Sequence, residues 1–242
     1  MMLNMDSVPT APDDRTGRAR IRDAALRRFG DDGVDGTSLR VIADDAGVSP
    51  ALVVHHFGSK VGLVRDCDEH VVATTRRAKQ QAMASGAGLD ALGSLREAAS
   101  SRPLLRYLAR RLTDHSPQVA ALVDELVTDA QAYLATGEDT GMIRPTSDPW
   151  GRAAVLTIWS LGALVLHEHV ARLLGADLTE DTAGLVAYSR PAVEVLGSGV
   201  FTEDIAASLQ AAYDDLAPAP PADASPDQHP PQLTAEPTPG SG

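Results

Sequence analysis

Residues 37–57 read TSLRVIADDAGVSPALVVHHF, and the punctuation of this stretch decides how the rest of the chain is parsed. Leu39, Ile42, Ala43 and Ala46 recur at i, i+3, i+4 and i+7, the spacing of one buried helix face. Thr37 stands where an N-cap hydroxyl would take up a free N–H of the first turn, and Gly47 ends the helix. Ser49 followed by Pro50 repeats the start signal, an N-cap and a proline in the first helical position. The run Ala-Leu-Val-Val-His-His-Phe would suit a strand equally well, because adjacent valines favour one. It is the cap chemistry that predicts a helix to about Phe57. Two short helices joined by a tight Gly turn make a helix-turn-helix, whose second helix enters the major groove of a duplex. Val48, Val53 and Phe57 are expected to face the core, which turns Pro50, Ala51, Leu52, Val54, His55 and His56 outward.

Upstream, Ile21, Ala25 and Phe29 sit four apart, with Ala24 and Leu26 widening the stripe, and Gly30 and Gly33 are read as the end of a first helix. Downstream, Gly58-Ser59 form a turn and a long helix is expected over 60–84. Further helical stretches are expected near 89–100, 103–114, 118–136, 148–174, 181–196 and 202–216, separated by Gly, Pro and Ser-Pro breaks. No segment alternates in the manner of a strand and no repeat is visible. The fold class is therefore all-α: a three-helix helix-turn-helix head at 15–60 followed by a helical body at 61–216. Residues 1–14 read as a disordered arm. The Pro-rich tail at 217–242, whose largest aliphatic side chain is Leu233, cannot repay its ordering entropy.

Ala, Leu and Val carry most of the 43% hydrophobic content, while aromatic residues are few. The single cysteine, Cys67, allows neither an intrachain disulfide nor a cysteine-based zinc site, which fits a reducing cytosol. No basic segment followed by an apolar run opens the sequence, so no secretory signal is expected. The longest mostly apolar stretch, 153–166, falls short of the roughly 20 residues a bilayer span needs, and reads as a buried helix. A cytoplasmic protein without membrane contact is expected. The net charge of −12 argues at first sight against nucleic acid, but its distribution matters more than its total. Residues 15–60 carry eight Arg or Lys against six Asp, so the head is the net-positive part of an otherwise acidic chain. No Gly-rich phosphate loop, catalytic triad or paired-carboxylate constellation stands out, so no enzyme and no cofactor are expected. No metal is expected either. His55 and His56 diverge by about 100° on a helix, and His167-Glu168-His169 lacks the i, i+4 spacing of a zinc helix.

The head closely resembles the tetracycline-repressor (TetR) family of bacterial transcription regulators over some fifty residues. The shared words are the Arg/Ile/Ala/Ala/Phe-bearing first helix, Thr37-Ser38, Ile42-Ala43, Ala46-Gly47-Val48-Ser49, His55-His56-Phe57, Ser59-Lys60 and Leu63. The resemblance implies a DNA-binding repressor, a homodimer built through late helices of the body, an inverted-repeat operator, and a small-molecule effector. It implies DNA contacts at Ser38, Arg40, Ala51, Leu52, Val54, His56 and Lys60. Lys60 can neutralise a phosphate at a helix N-terminus, Arg40 can take a guanine edge or a phosphate, and the apolar trio can pack on thymine methyls. Where many members carry a phosphate-binding Tyr, this chain has Val54, and His55 is the candidate to replace that contact. Tyr107, Tyr133 and Trp159 are candidate effector-pocket residues, although ordinary core positions explain each equally well. A helical interaction protein with a degenerate DNA-binding head is the alternative, motivated by Val54 and the acidic balance.

Overall fold

The computed structural model describes residues 11–114, 116–180 and 182–216. The described part holds α1 (Ala11–Gly36), α2 (Leu39–Ala46), α3 (Pro50–Phe57), α4 (Lys60–Ala84), α5 (Ala91–Ser100), α6 (Arg102–Arg111), α7 (Pro117–Asp139), α8 (Pro149–Val165), α9 (His167–Leu174), α10 (Thr182–Ser198) and α11 (Glu203–Leu216), with one 3-10 turn and no strand. The all-α class expected from the helical periods is what the chain forms.

Three serines start the helices that matter most. Ser38, Ser49 and Ser59 each accept an N–H bond from three residues ahead, at 3.3, 3.2 and 3.1 Å, satisfying first-turn donors of α2, α3 and α4. The cap of α2 is thus Ser38 rather than Thr37. Thr37 is buried instead, and its hydroxyl donates to the Gly33 carbonyl at 2.8 Å, pinning the loop to α1. Gly47 closes α2 in the left-handed region (φ 64°, ψ 40°), where a Cβ would be strained.

Ile21, Ala24, Leu26 and Phe29 of α1 pack with Ile42, Ala43 and Ala46 of α2, Val53 of α3, and Leu63 and Cys67 of α4. The same core runs on through Val71 and Val72 to Tyr107 and Leu108 of α6. A smaller cluster of Val127, Ala130, Leu134 and Ala153 joins α7 to α8. The chain falls into two compact units, one reaching to Val193 and one from Glu194 onward. No break in packing falls at residue 60: α4 leaves the head and continues into the body as one helix, and α1 packs on α6.

Gly30, expected to end the first helix, lies inside it. A Cβ there would stand 3.1 Å from the Tyr107 backbone nitrogen, so the glycine serves the close approach of α1 to α6. The helix kinks three residues later, at Gly33. α1 begins at Ala11, so residues 11–14 are helical where an arm was expected, while 1–10 and the 217–242 tail lie outside the described residues. The expected helix over 148–174 is two, α8 and α9, meeting at 78°. Nor is α8 simply buried: Ala153, Thr157 and Leu164 are, whereas Val155 and Ile158 are 65% and 62% exposed. Among the described residues no single helix is long and apolar enough to cross a membrane.

Candidate DNA-binding surface and effector cavity

α3 is anchored by Val53, fully buried, with Val48 and Phe57 packed against the same core. Pro50, Ala51, Val54 and His55 are exposed. Leu52 is half-buried, and a Cβ at Gly17 of α1 would lie 3.9 Å from its side chain. His56 was expected to reach a phosphate, but its Nε2 is buried beside Gly17. His55 is therefore the histidine open to solvent. Ser38 is exposed, and its Oγ accepts the Val41 N–H, which leaves its own O–H proton available to donate.

The arginines of the head divide by task. Arg18 and Arg22 both pair with the buried Asp66, Arg22 at 3.3 Å, and the Arg18 guanidinium lies 5.2 Å over the Phe57 ring. Arg28 grips Asp45 with two nitrogens, at 2.5 and 3.0 Å. That geometry pushes the Arg28 pKa up, chiefly through the hydrogen bond to Asp45, and pulls the Asp45 carboxyl down. Arg20 donates to the Ala46 and Gly47 carbonyls, covering the electronegative C-terminus of α2. These side chains hold the head together. Arg40, exposed on α2, and Lys60, in the first turn of α4, form no ion pair among the described residues.

The body holds a partly open cavity of about 360 Å³, within the range of small-molecule sites. α4 contributes Val71, Thr75, Ala78 and Lys79 from one face, α6 contributes Leu104, Leu105 and Leu108, and α7 contributes Leu126, Asp129 and Tyr133. Thr157, Leu161 and Leu164 of α8 and Leu185 and Tyr188 of α10 complete it. Most of this wall is aliphatic. Its polar groups are incompletely satisfied: among the described residues the buried Thr157 hydroxyl has no hydrogen-bond partner, and neither has the buried Asp129 Oδ2. A larger hollow of about 510 Å³ lies between α1 and α6, lined by Asp32, Asp35, Arg110, Arg111 and Asp114; its charged wall makes it a surface groove.

Of the three expected pocket residues, only Tyr133 lines the cavity. Tyr107 belongs to the core, its hydroxyl donating to Asp68 at 2.6 Å and its ring 6.3 Å from that of Phe29. Trp159 is 37% exposed on α8 and does not line the cavity.

The family described as "Bacterial regulatory proteins, tetR family" matches residues 21–67, and "Tetracyclin repressor-like, C-terminal domain" matches residues 99–202. The HTH-type transcriptional regulatory protein RaaS of Mycobacterium tuberculosis is 37% identical over 194 residues, covering 78% of this chain and 89% of that protein. The chain belongs to the TetR family. It is a DNA-binding transcription regulator, not an enzyme. A second relative, the HTH-type transcriptional regulator BetI of Burkholderia cenocepacia, is 42% identical over 65 residues, covering 25% of this chain and 34% of that protein. Among solved structures, a TetR-family regulator from Rhodococcus sp. shares the fold with a TM-score of 0.54 at 20% identity, covering 75% of this chain and 98% of that one. SmeT, the repressor of a Stenotrophomonas maltophilia multidrug efflux pump, gives a TM-score of 0.50 at 23% identity, covering 72% and 88% of the two chains. TetR-family regulators bind operator DNA and small-molecule effectors and are dimers.

Sequence reasoning did not find the cavity residues Lys79, Asp129 and Thr157. A signal for one of them was present. Val71, Thr75, Ala78 and Lys79 share a helix face at i, i+4, i+7 and i+8, and a lysine completing a small and apolar stripe is out of place on a solvated surface.

Proposed function

We propose that this TetR-family chain is a cytoplasmic, operator-binding repressor, active as a homodimer, that leaves DNA when a small molecule occupies the α4–α6–α7–α8 cavity. The observation that carries the DNA reading is the pairing pattern of the head. Arg18, Arg22 and Arg28 are held by Asp66 and Asp45, while among the described residues Arg40 and Lys60 form no ion pair, and Ala51, Val54 and His55 of α3 are exposed. In this reading the head spans 15–60, Lys60 and Ser38 hold phosphates, and His55 supplies the contact that Val54 cannot. Arg40 meets a guanine edge or a phosphate. Ala51, Val54 and the exposed part of Leu52 lie on thymine methyls.

Lys60→Ala tests the phosphate assignment. Binding to all duplexes should weaken, and the slope of log affinity against log salt should flatten by about one to two units per dimer. An unchanged slope would make Lys60 a helix-start residue only. Apolar readout has its own check. Replacing a thymine beneath Val54 by uracil removes one methyl and should cost on the order of 1 kcal/mol. Operators that bind equally well after every such replacement would shift recognition to Arg40 and DNA shape.

The dimer reading rests on α8. Val155, Ile158, Trp159, Val165 and Leu166 form an exposed apolar face, interrupted only by Gly162, where an added Cβ would meet nothing. The unit from Glu194 onward separately exposes Leu196, Phe201 and Ile205. Water leaves such surfaces readily, and an isologous interface of upward of about 1,200 Å² is expected. The transmission reading rests on α6. Leu104, Leu105 and Leu108 face the cavity while Tyr107, on the same helix, meets Gly30 of α1. An occupant that displaces α6 must therefore displace the head.

A further inference from the structure

The α4–α6–α7–α8 cavity carries no net charge for an occupant to answer. Arg76 Nε donates to Asp129 Oδ1 at 2.7 Å and its Nη2 to Glu125 at 2.9 Å, so the guanidinium and both carboxylates are engaged with one another. Lys79 reaches the wall from an exposed position, where water solvates its ammonium, and its charge completes a balance of Arg76 and Lys79 against Asp129 and Glu125. The rest of the wall is leucine, valine and alanine interspersed with hydroxyls.

The polar capacity that stays open is uncharged. Thr157 Oγ1 and Asp129 Oδ2 have no partner among the described residues, but both are sealed from the cavity as well as from solvent, and no occupant reaches them as they stand. The Tyr133 hydroxyl on α7 is different: it forms no hydrogen bond with a described residue, yet it keeps accessible surface on the cavity wall. Burial and the neighbouring Asp129 carboxylate hold its pKa above the ordinary tyrosine range, so it meets an occupant as an O–H donor. An ion entering this chamber gives up water for leucine side chains and gains no opposite charge. A neutral oxygen gives up far less and accepts a hydrogen bond from the phenol.

We propose that the cavity takes an uncharged amphiphile, its hydrocarbon body against the leucines of α6 and α8 and a single neutral oxygen accepting a hydrogen bond from Tyr133. This names the chemical class of the effector and rests on the effector reading. Taking about 30 Å³ per non-hydrogen atom, as for liquid water, a cavity of about 360 Å³ admits roughly a dozen such atoms. Alcohols, ketones and esters of about eight to ten carbons satisfy both that size and the absence of charge. A carboxylate of the same length brings its anion towards Asp129, and a quaternary ammonium brings its cation towards Arg76, which already holds that carboxylate.

The test measures calorimetric binding of 1-octanol, octanoate and octyltrimethylammonium to the full chain, to Tyr133→Phe and to Leu161→Trp. It also measures what each probe does to affinity for an operator selected from random duplexes. Octanol should bind the natural protein at least about ten-fold more tightly than either ion. Tyr133→Phe keeps the ring and should weaken octanol about two- to ten-fold while leaving the thermal melt in place. Leu161→Trp fills the chamber and should abolish octanol binding. An ion that binds as tightly as octanol, unchanged octanol affinity in Tyr133→Phe, or octanol retained by Leu161→Trp overturns the proposal. So does failure of all three probes to bind. The DNA arm judges the effector reading separately. Operator affinity that falls with an ion but not with octanol keeps the effector site and overturns the uncharged class. Operator affinity unmoved by any bound probe and by Leu161→Trp sinks the effector reading, while the preference for octanol is still read from calorimetry.

Discussion

Replacing Tyr107 with Ala should cost about 3–5 kcal/mol, a large share of the stability of a domain this size. Tyr107 is 1% exposed, sits in tilted contact with Phe29, and stands behind the backbone approach at Gly30. Truncation leaves a cavity at the junction of α1, α4 and α6, where close-packed neighbours cannot collapse fully. Urea unfolding of both proteins measures the difference, and a loss below about 1 kcal/mol would mean the junction repacks. Tyr107→Phe separates shape from hydrogen bonding. It keeps the ring but removes the donor to Asp68, leaving Arg111 at 3.4 Å as the remaining partner. A penalty of about 1–3 kcal/mol is expected at neutral pH.

That smaller penalty carries a pH signature. Burial raises the Asp68 pKa above 3.8, and the Tyr107 hydrogen bond and the Arg111 charge oppose the rise only in part. The folded protein therefore holds this proton more tightly than the unfolded chain, and the natural protein loses stability as pH rises through that window. Removing the phenol's donor raises the Asp68 pKa further. The Tyr107→Phe penalty should then be full above the raised pKa and shrink as pH falls toward 3.8, where a protonated carboxyl no longer needs the donor. A penalty that stays constant down to about pH 4 would place its origin in packing rather than in the Asp68 hydrogen bond.

Ile158→Glu should turn a dimer into a monomer near 25.4 kDa in light scattering. Ile158 is 62% exposed in the single chain, so the substitution costs the protomer little, while two glutamates facing each other across a two-fold axis would be buried and unpaired. Operator affinity should fall by about 10²–10⁴-fold, because each head then binds its half-site without the other. A dimer that survives this substitution would move the interface away from α8.

The head was legible because its signals are local. Caps, a Gly turn and a short apolar period occupy contiguous residues, and the exposed and buried sides of α3 followed from spacing at Val53 and Val54. The cap of α2 was misplaced by one residue, Ser38 taking it with Thr37 buried behind it, and α1 ran past the Gly30 expected to end it. His56 escaped because its burial depends on Gly17, across the head in α1. The body was less legible for the same reason. The helices themselves could be read from their periods, but which of their faces meet is decided by long-range packing. Tyr107, Tyr133 and Trp159 look alike in sequence, yet one fills the core, one lines the cavity and one faces out. The apolar run of α8 read as a buried helix, since exposure in a lone chain and burial against a second copy leave the same composition.

The uninterrupted course of α4 has a mechanical consequence. From Lys60 to Lys79 it runs 19 residues without a break, a rod of about 28 Å at 1.5 Å per residue. A tilt of about 5° around its Lys79 end would carry Lys60 sideways by about 2.5 Å, nearly the full length of a hydrogen bond. Rigid packing passes such a rotation on rather than absorbing it. Under the proposed release, a small displacement at one end of this lever would be magnified into a loss of register at the other, with no part of the head unfolding.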